Sequence, residues 1–299
     1  MELSLIYTII GFGLAGYSVI ANDSIQTLGT FIASKQKWFK WYTLASAASL
    51  VMIGAITWGW YSYDGDISYG RLTRIPFQEI QWYHAVAPAI LLALTRIGIP
   101  VSTTFLVLSA FASTVVLEKM LVKSIVGYGI AATVAYFCWI AVSKFINEKL
   151  DEVKGDKWIA FWRNSVWVSS GWLWWVWLSH DVANIAVYLP RQLDFSLLLI
   201  VITYFTVLLF YIFYIRGGSI QQVVLEKTGT RYARSATIIN VIYAAVLFYF
   251  KELNDLPMST TWVFVGLLCG RELAISTMNK DYKFKYCLLY TSPSPRDVP

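Results

Sequence analysis

Apolar residues run through this chain in blocks of about 20, the length a helix needs to cross roughly 30 Å of hydrocarbon. Such blocks include Leu3 to Ala21, Thr43 to Tyr61, Val122 to Val142 and Ser196 to Ile215. Around five full crossings are predicted, which makes the chain an all-α polytopic membrane protein. Two further apolar stretches, Ala85 to Thr95 and Ala236 to Phe250, are shorter. Each is followed, after a proline, by a segment that opens with Ser-Thr-Thr. A short apolar helix that turns back at a proline reads as a re-entrant hairpin, so two such hairpins are expected.

Two landmarks recur in the same order. The first is an Asp in a polar interruption of an apolar run, at Ala21-Asn22-Asp23 and at Ser179-His180-Asp181. The second is Pro-x-Ser-Thr-Thr, at Pro100 to Thr104 and at Pro257 to Thr261. The aspartates lie 158 positions apart and Ser102 and Ser259 lie 157 apart, so separate marks share almost one period. A repeat of this kind defines an architecture. Residues 1–146 form the first transmembrane unit, 147–157 a cytoplasmic linker, and 158–290 a second unit. Each unit holds a broken crossing, a full crossing, a hairpin and a final crossing. Three crossings is an odd number, so the second unit is expected to be inverted relative to the first. The same period places a closing helix from about Asn279, where only Phe284 to Tyr290 is apolar. The last helix is therefore expected to be truncated. The polar stretch 291–299 has three prolines and reads as a non-native tail that cannot span hydrocarbon.

Composition agrees with the pattern: 57% of residues are hydrophobic and only 14% charged, against roughly 25% charged in soluble domains. The net charge of +6 does not indicate nucleic acid, because lysines and arginines sit in the loops between apolar runs rather than in one patch. If the basic loops are cytoplasmic, the N-terminus and the segment Tyr61 to Gln81 are outside, with Arg71 and Arg74 facing Asp64, Asp66 and Glu79. The N-terminus carries Glu2 and no cleavage-site pattern, so the first block is kept as a membrane helix. Cys138, Cys269 and Cys287 are widely separated and read as packing residues. The tryptophans between Trp158 and Trp177 read as an aromatic belt with lipid-facing packing.

An ionisable group inside a membrane segment costs at least about 2.5 kcal/mol on insertion scales, so Asp23 and Asp181 call for a reason. With Asn22, Gln26 and Asn184 beside them they can coordinate a hard cation through oxygen; the ordinary alternative is a cap or an Asp at headgroup level. The Ser-Thr-Thr runs follow a proline, as a helix start does, and there unpaired N–H groups and the positive end of the dipole favour an anion. Ser102, Thr103, Thr104, Ser259, Thr260 and Thr261 offer six hydroxyls to a tetrahedral oxyanion; plain capping is the competing reading. His180 titrates near neutrality in the ordinary case and is a candidate for proton coupling, against a role as a hydrogen-bonded structural residue. The chain has no GxxxxGK[ST] loop, no HExxH and no GxSxG elbow, and no nucleophile and base form a recognisable pair. No enzyme activity and no cofactor are expected.

With these residues in view, the sequence resembles the inorganic phosphate transporter (PiT) family of cation-coupled phosphate permeases. That family carries a duplicated GANDVANA-like and a duplicated PVSTTH-like signature. Here they stand as IANDSIQTLGT, GIPVSTTF, SHDVANIA and LPMSTTW. The resemblance implies that Asn22, Asp23, Asp181 and Asn184 help bind the coupling cation and phosphate, while Gln26 is offered as a cation ligand by its place beside Asp23. The resemblance also implies that both Ser-Thr-Thr runs, with the two aspartates, bind phosphate. The departures are Gln26 in place of the second Asn, His180 in place of an Asn, and Phe105 and Trp262 where His follows the Thr pair. The expected function is secondary transport of inorganic phosphate by alternating access in a cell (inner) membrane, with sodium, or else protons, as coupling ion. Transport of sulfate or another oxyanion and a non-transporting phosphate sensor are the alternatives. The partners are phosphate and the lipid bilayer, with no nucleic acid, and a homodimer is left open.

Overall fold

The computed structural model describes residues 3–36, 38–96, 101–142, 156–217, 221 and 233–278. The expected closing helix, the polar tail, most of the linker and residues 97–100, with Pro100 of the first Ser-Thr-Thr landmark, lie outside these residues. The described chain is helical throughout its regular structure. Its elements are α1 (Leu3–Ser18), α2 (Ser24–Lys35), α3 (Trp41–Ser62), α4 (Trp82–Arg96), α5 (Thr103–Leu108) and α6 (Thr114–Val142) in the first half. The second half holds α7 (Asp156–Asp181), α8 (Ala183–Ala186), α9 (Phe195–Tyr214), α10 (Ala233–Leu253) and α11 (Thr260–Met278).

Five helical stretches are long and apolar enough to cross a membrane: Leu3–Lys35, Trp41–Ser62, Thr114–Val142, Phe195–Tyr214 and Ala236–Leu253. They make this a multi-pass membrane protein. The fifth stretch contains one of the two segments expected to be short. It reaches 18 residues because Lys251, Glu252 and Leu253 stay helical beyond Phe250. The counterpart, α4, has 15 residues with Pro88 inside and remains too short to cross.

The break expected at Asp23 takes the form of a π-helical turn, Val19–Asp23, between α1 and α2. The backbone N–H of Ser24 reaches back five residues to the Val19 carbonyl, and the Ser24 hydroxyl donates to the Ile20 carbonyl. One extra residue in the turn bulges the helix without ending it, a device often found at functional sites. In the second half the interruption is slighter, for Val182 keeps helical angles (φ −59°, ψ −27°) and its N–H donates to the Leu178 carbonyl at 3.1 Å. Helix α7 ends at Asp181, and Val182 leads into the single turn α8.

Helices pack as α6 on α11, α10 on α7 and α1 on α4, with α3 lying against both α9 and α7. The α6/α11 pair is the closest. A Cβ on Gly266 would stand 2.3 Å from the Tyr128 carbonyl oxygen, and one on Gly270 would stand 1.9 Å from that of Ala132. Small residues let two backbones approach in this way where lipid offers no hydrophobic drive. The tryptophans of α7 differ from expectation. Trp174 and Trp177 are fully buried and stacked at 5.0 Å, and the Trp174 indole donates to the Ala48 carbonyl. They face α3 and the protein interior, while Trp172 keeps the expected exposed position.

The segment 63–81 does not project as a loop. Ile67, Leu72, Ile75 and Ile80 are buried, and the Leu193 N–H donates to the Gly65 carbonyl at 2.9 Å. Asp64 and Tyr69 adopt left-handed φ of 50° and 59° to turn the chain back. Arg71 is carried inward with it and pairs with none of the neighbouring acids.

Candidate functional site

Four elements from the two halves meet at one buried point: the π-helical turn with the start of α2, the α7/α8 junction, and the N-termini of α5 and α11. Asn22, Asp23, Gln26, Thr103, Thr104, Asp181, Asn184, Ser259, Thr260 and Thr261 are all buried, with the two aspartates each 1% exposed. Ser102 is 8% exposed. All the residues expected to bind ions except His180 thus converge.

Each aspartate is held by an amide three residues on. Asn184 Nδ2 donates to Asp181 Oδ1 at 2.8 Å, and Gln26 Nε2 donates to Asp23 Oδ1 at 3.3 Å. One helical turn places these side chains on the same face. Asn22 adds a second amide to Asp23 at 2.8 Å and also reaches the Val101 carbonyl at 3.1 Å. The amides then bridge between halves. Asn184 donates to Thr104 Oγ1 at 3.3 Å, and Gln26 donates to Thr261 Oγ1 at 3.4 Å. Each half therefore places its amide on the second threonine of the other half's Ser-Thr-Thr. The Thr104 hydroxyl completes its side with a 3.4 Å bond to Asp181 Oδ1. Gln26 is one methylene longer than Asn184, which accounts for the same bridge being made with looser distances.

The Ser-Thr-Thr runs form the helix starts expected of them. Ser102 Oγ accepts from the Phe105 N–H at 3.3 Å, and Ser259 Oγ accepts from the Trp262 N–H at 3.2 Å. Both serines are thus N-caps, as the ordinary reading held. The capping leaves the threonines free for other work. The N–H groups of Thr103, Thr104, Thr260 and Thr261 have no intrahelical partner at a helix start. With 19 residues, α11 carries a full dipole toward this point, whereas the six residues of α5 add hydroxyls and N–H groups. Ser124 Oγ on α6 accepts from the Ser259 N–H at 2.9 Å, and Tyr243 on α10 donates to the Thr260 carbonyl at 2.9 Å. These bonds fix the start of α11.

Among the described residues, the site keeps an uneven set of open valences. Asn22 Oδ1, Asp23 Oδ2, Gln26 Oε1, Asp181 Oδ2 and Asn184 Oδ1 are buried with no donor at good hydrogen-bond geometry, and neither has Thr103 Oγ1 such a partner, although the Thr103 hydroxyl lies beside Asp23 and that of Thr260 beside Asp181. Buried polar groups are nearly always paired, because an unpaired one costs about 1–3 kcal/mol. Here five acceptors are orphaned together, and all five are oxygens. The carboxylates of Asp23 and Asp181 lie close enough to repel one another when both are ionised. A donor set of carboxylate, amide and hydroxyl oxygens suits a hard cation with oxygen ligands. No group of three or more His, Cys, Asp or Glu among the described residues suits a transition metal.

His180 lies beside this cluster without joining it. Its Nε2 meets the Leu247 carbonyl of α10 at 2.9 Å. Phe105 and Trp262, at equivalent positions of the two motifs, touch each other with ring centroids 5.2 Å apart.

Arg71 is a residue that motif reasoning missed. It is 2% exposed, its Nε donates to the Ser179 carbonyl at 2.5 Å, and its Nη1 donates to the Leu256 carbonyl at 3.4 Å. Burial lowers its pKa to about 10, with Asp181 and Asp255 acting in the opposite direction, so it is charged at neutral pH. The signal was present in the spacing of Ile67, Leu72, Ile75 and Ile80, which is too apolar for a solvated loop.

Among solved structures, the chain is similar to one described as "The sodium-dependent phosphate transporter", with a TM-score of 0.57 at 17% sequence identity. The match covers 92% of this chain and 90% of that one, so nearly the whole fold is shared. No family model and no curated protein matches the sequence.

Proposed function

We propose that this protein is a secondary transporter of inorganic phosphate coupled to a cation, with sodium as the coupling ion. The observation that carries the reading is the group of five orphaned, buried oxygens on Asn22, Asp23, Gln26, Asp181 and Asn184, set against the N-termini of α5 and α11. Cations held at the aspartates neutralise a charge that would otherwise repel an oxyanion a few ångströms away. The oxyanion is met by the hydroxyls of Ser102, Thr103, Thr104, Ser259, Thr260 and Thr261, by free N–H groups and by the α11 dipole. Each ion lowers the cost of burying the other, and this linkage makes the two fluxes one. Sodium suits the amide-rich oxygen set better than a proton does, because Asn22, Gln26 and Asn184 can coordinate a cation but cannot carry a proton.

The reciprocal bridges, Asn184 to Thr104 and Gln26 to Thr261, support a pair of repeats, 1–146 and 158–290, inverted about the shared site and joined by 147–157. Rocking one repeat on the other would open the site to either side of the membrane in turn. The likeness to a sodium-dependent phosphate transporter over nearly the full chain supports the same cargo and ion. His180, bonded to Leu247, holds α7 to α10 in this reading rather than carrying protons.

The test is uptake of labelled phosphate into proteoliposomes of a cell-membrane lipid extract under an imposed sodium gradient, with and without excess sulfate. Sodium-driven uptake resistant to sulfate is expected. Uptake that follows a proton gradient alone, or that sulfate abolishes, would replace the ion or the cargo. Phosphate binding with no uptake under any gradient would indicate a sensor.

A further inference from the structure

A groove of about 560 Å³ lies between α6 and α10, away from the central site. Arg74 and Lys119 stand on its rim and Lys123 lies on its floor, and two acids bear on them, Glu118 in the lining and Asp255 beside Lys123 and Arg71. Lys123 is only 6% exposed, and its ammonium donates to the Asn254 carbonyl (3.1 Å), to Asn254 Oδ1 (2.8 Å) and to the Leu256 carbonyl (2.8 Å). All three acceptors are neutral. No carboxylate among the described residues forms an ion pair with Lys123 or with Arg71. A buried basic group with no acid in direct contact is costly, even with Asp255 within electrostatic range of both.

The Leu256 carbonyl accepts from both Lys123 and Arg71, so the two buried cations meet at one oxygen. Leu256 stands three residues before Ser259, the cap of α11. Arg71 in turn holds the Ser179 carbonyl, two residues before Asp181. A file of basic side chains therefore runs from an open groove, through the floor, to the backbone on both flanks of the proposed binding site.

We propose that this groove is a capture site for the free tetrahedral oxyanion, with Arg74 and Lys119 drawing it in and Lys123 holding it before transfer to the start of α11. The proposal rests on the phosphate-transport reading of the central site. Its chemistry is shared with the phosphodiester of a lipid headgroup. Free phosphate is favoured because the cations lead inward from the groove to Leu256 and Arg71.

The test uses the full chain in neutral phosphatidylcholine vesicles, with sodium fixed and ionic strength set by choline chloride. The double substitution Arg74→Gln/Lys119→Gln should raise the phosphate KM about fivefold at low ionic strength and less than about twofold at high, the signature of electrostatic steering. A KM unchanged at low salt overturns the proposal. Equilibrium binding separates its failure from that of the central reading. Purified Asp181→Asn protein should still bind labelled phosphate, and adding Lys123→Met should abolish that binding. If Asp181→Asn binds no phosphate while the wild type transports it, the groove proposal fails alone. If phosphatidylglycerol, and not phosphate, raises the melting temperature of the wild type but not of the double variant, the groove is a lipid site and the proposal is likewise overturned.

Discussion

Asp181→Asn changes one oxygen to an amide nitrogen of the same size. Asp181 Oδ1 accepts from Asn184 at 2.8 Å and from Thr104 at 3.4 Å, and an asparagine carbonyl can keep both bonds. The fold should therefore survive, and the repulsion between Asp23 and Asp181 disappears. What is lost is the orphaned Oδ2, the atom offered to the cation. A unit charge about 2.4 Å from a cation at an effective dielectric of roughly 20 is worth about 7 kcal/mol gross. Part of this offsets the water the ion gives up, and Asp23 remains, so a net loss of about 3 kcal/mol is expected, on the order of 100-fold in sodium affinity. At a sodium concentration 100 times the wild-type Kd, binding stabilises the wild type by about 2.7 kcal/mol. The variant would then sit near its own Kd and gain only about 0.4 kcal/mol. Thermal unfolding in detergent, with sodium titrated against choline, reads this difference directly. Uptake should fall in parallel. Equal sodium stabilisation of the two proteins would refute the placement of the cation at this carboxylate.

Thr104→Val removes a hydroxyl whose two bonds are long, so stability should change by about 1 kcal/mol or less while the phosphate KM rises about tenfold. Thr104→Ser should restore the KM, and a normal KM in the valine protein would exclude the hydroxyl from the anion site. Gly270→Val drives a side chain into the Ala132 carbonyl, so α6 and α11 must separate, at a cost of about 1–3 kcal/mol or more. An unchanged melting temperature would contradict that contact. Phe105→Ala and Trp262→Ala, combined in a double-mutant cycle of unfolding free energy, should show a coupling of about 0.5–1.5 kcal/mol. Additive effects would mean that the rings do not bear on each other.

The apolar blocks determined on their own where most helices run, because a membrane helix must satisfy its backbone within itself and so is written locally. The period shared by Asp23, Asp181, Ser102 and Ser259 also pointed to residues that the fold brings together. The shape of the break at Asp23 was not written there. Asp23 of Asn22-Asp23 closes a π-helical turn and Asp181 of His180-Asp181 closes a helix, and neighbouring elements decide between the two shapes. The burial of Trp174 and Trp177 was equally beyond the sequence, because a uniformly apolar helix does not mark which face meets α3 and which meets lipid. Arg71 and Lys123 show the limit most clearly. Both stand among ordinary loop and helix-end charges in the sequence, and only the folding back of residues 63–81 and the approach of α10 to α6 bring them to one carbonyl. Local patterns fix which segments can leave water; which distant oxygen receives a given cation depends on how those segments pack.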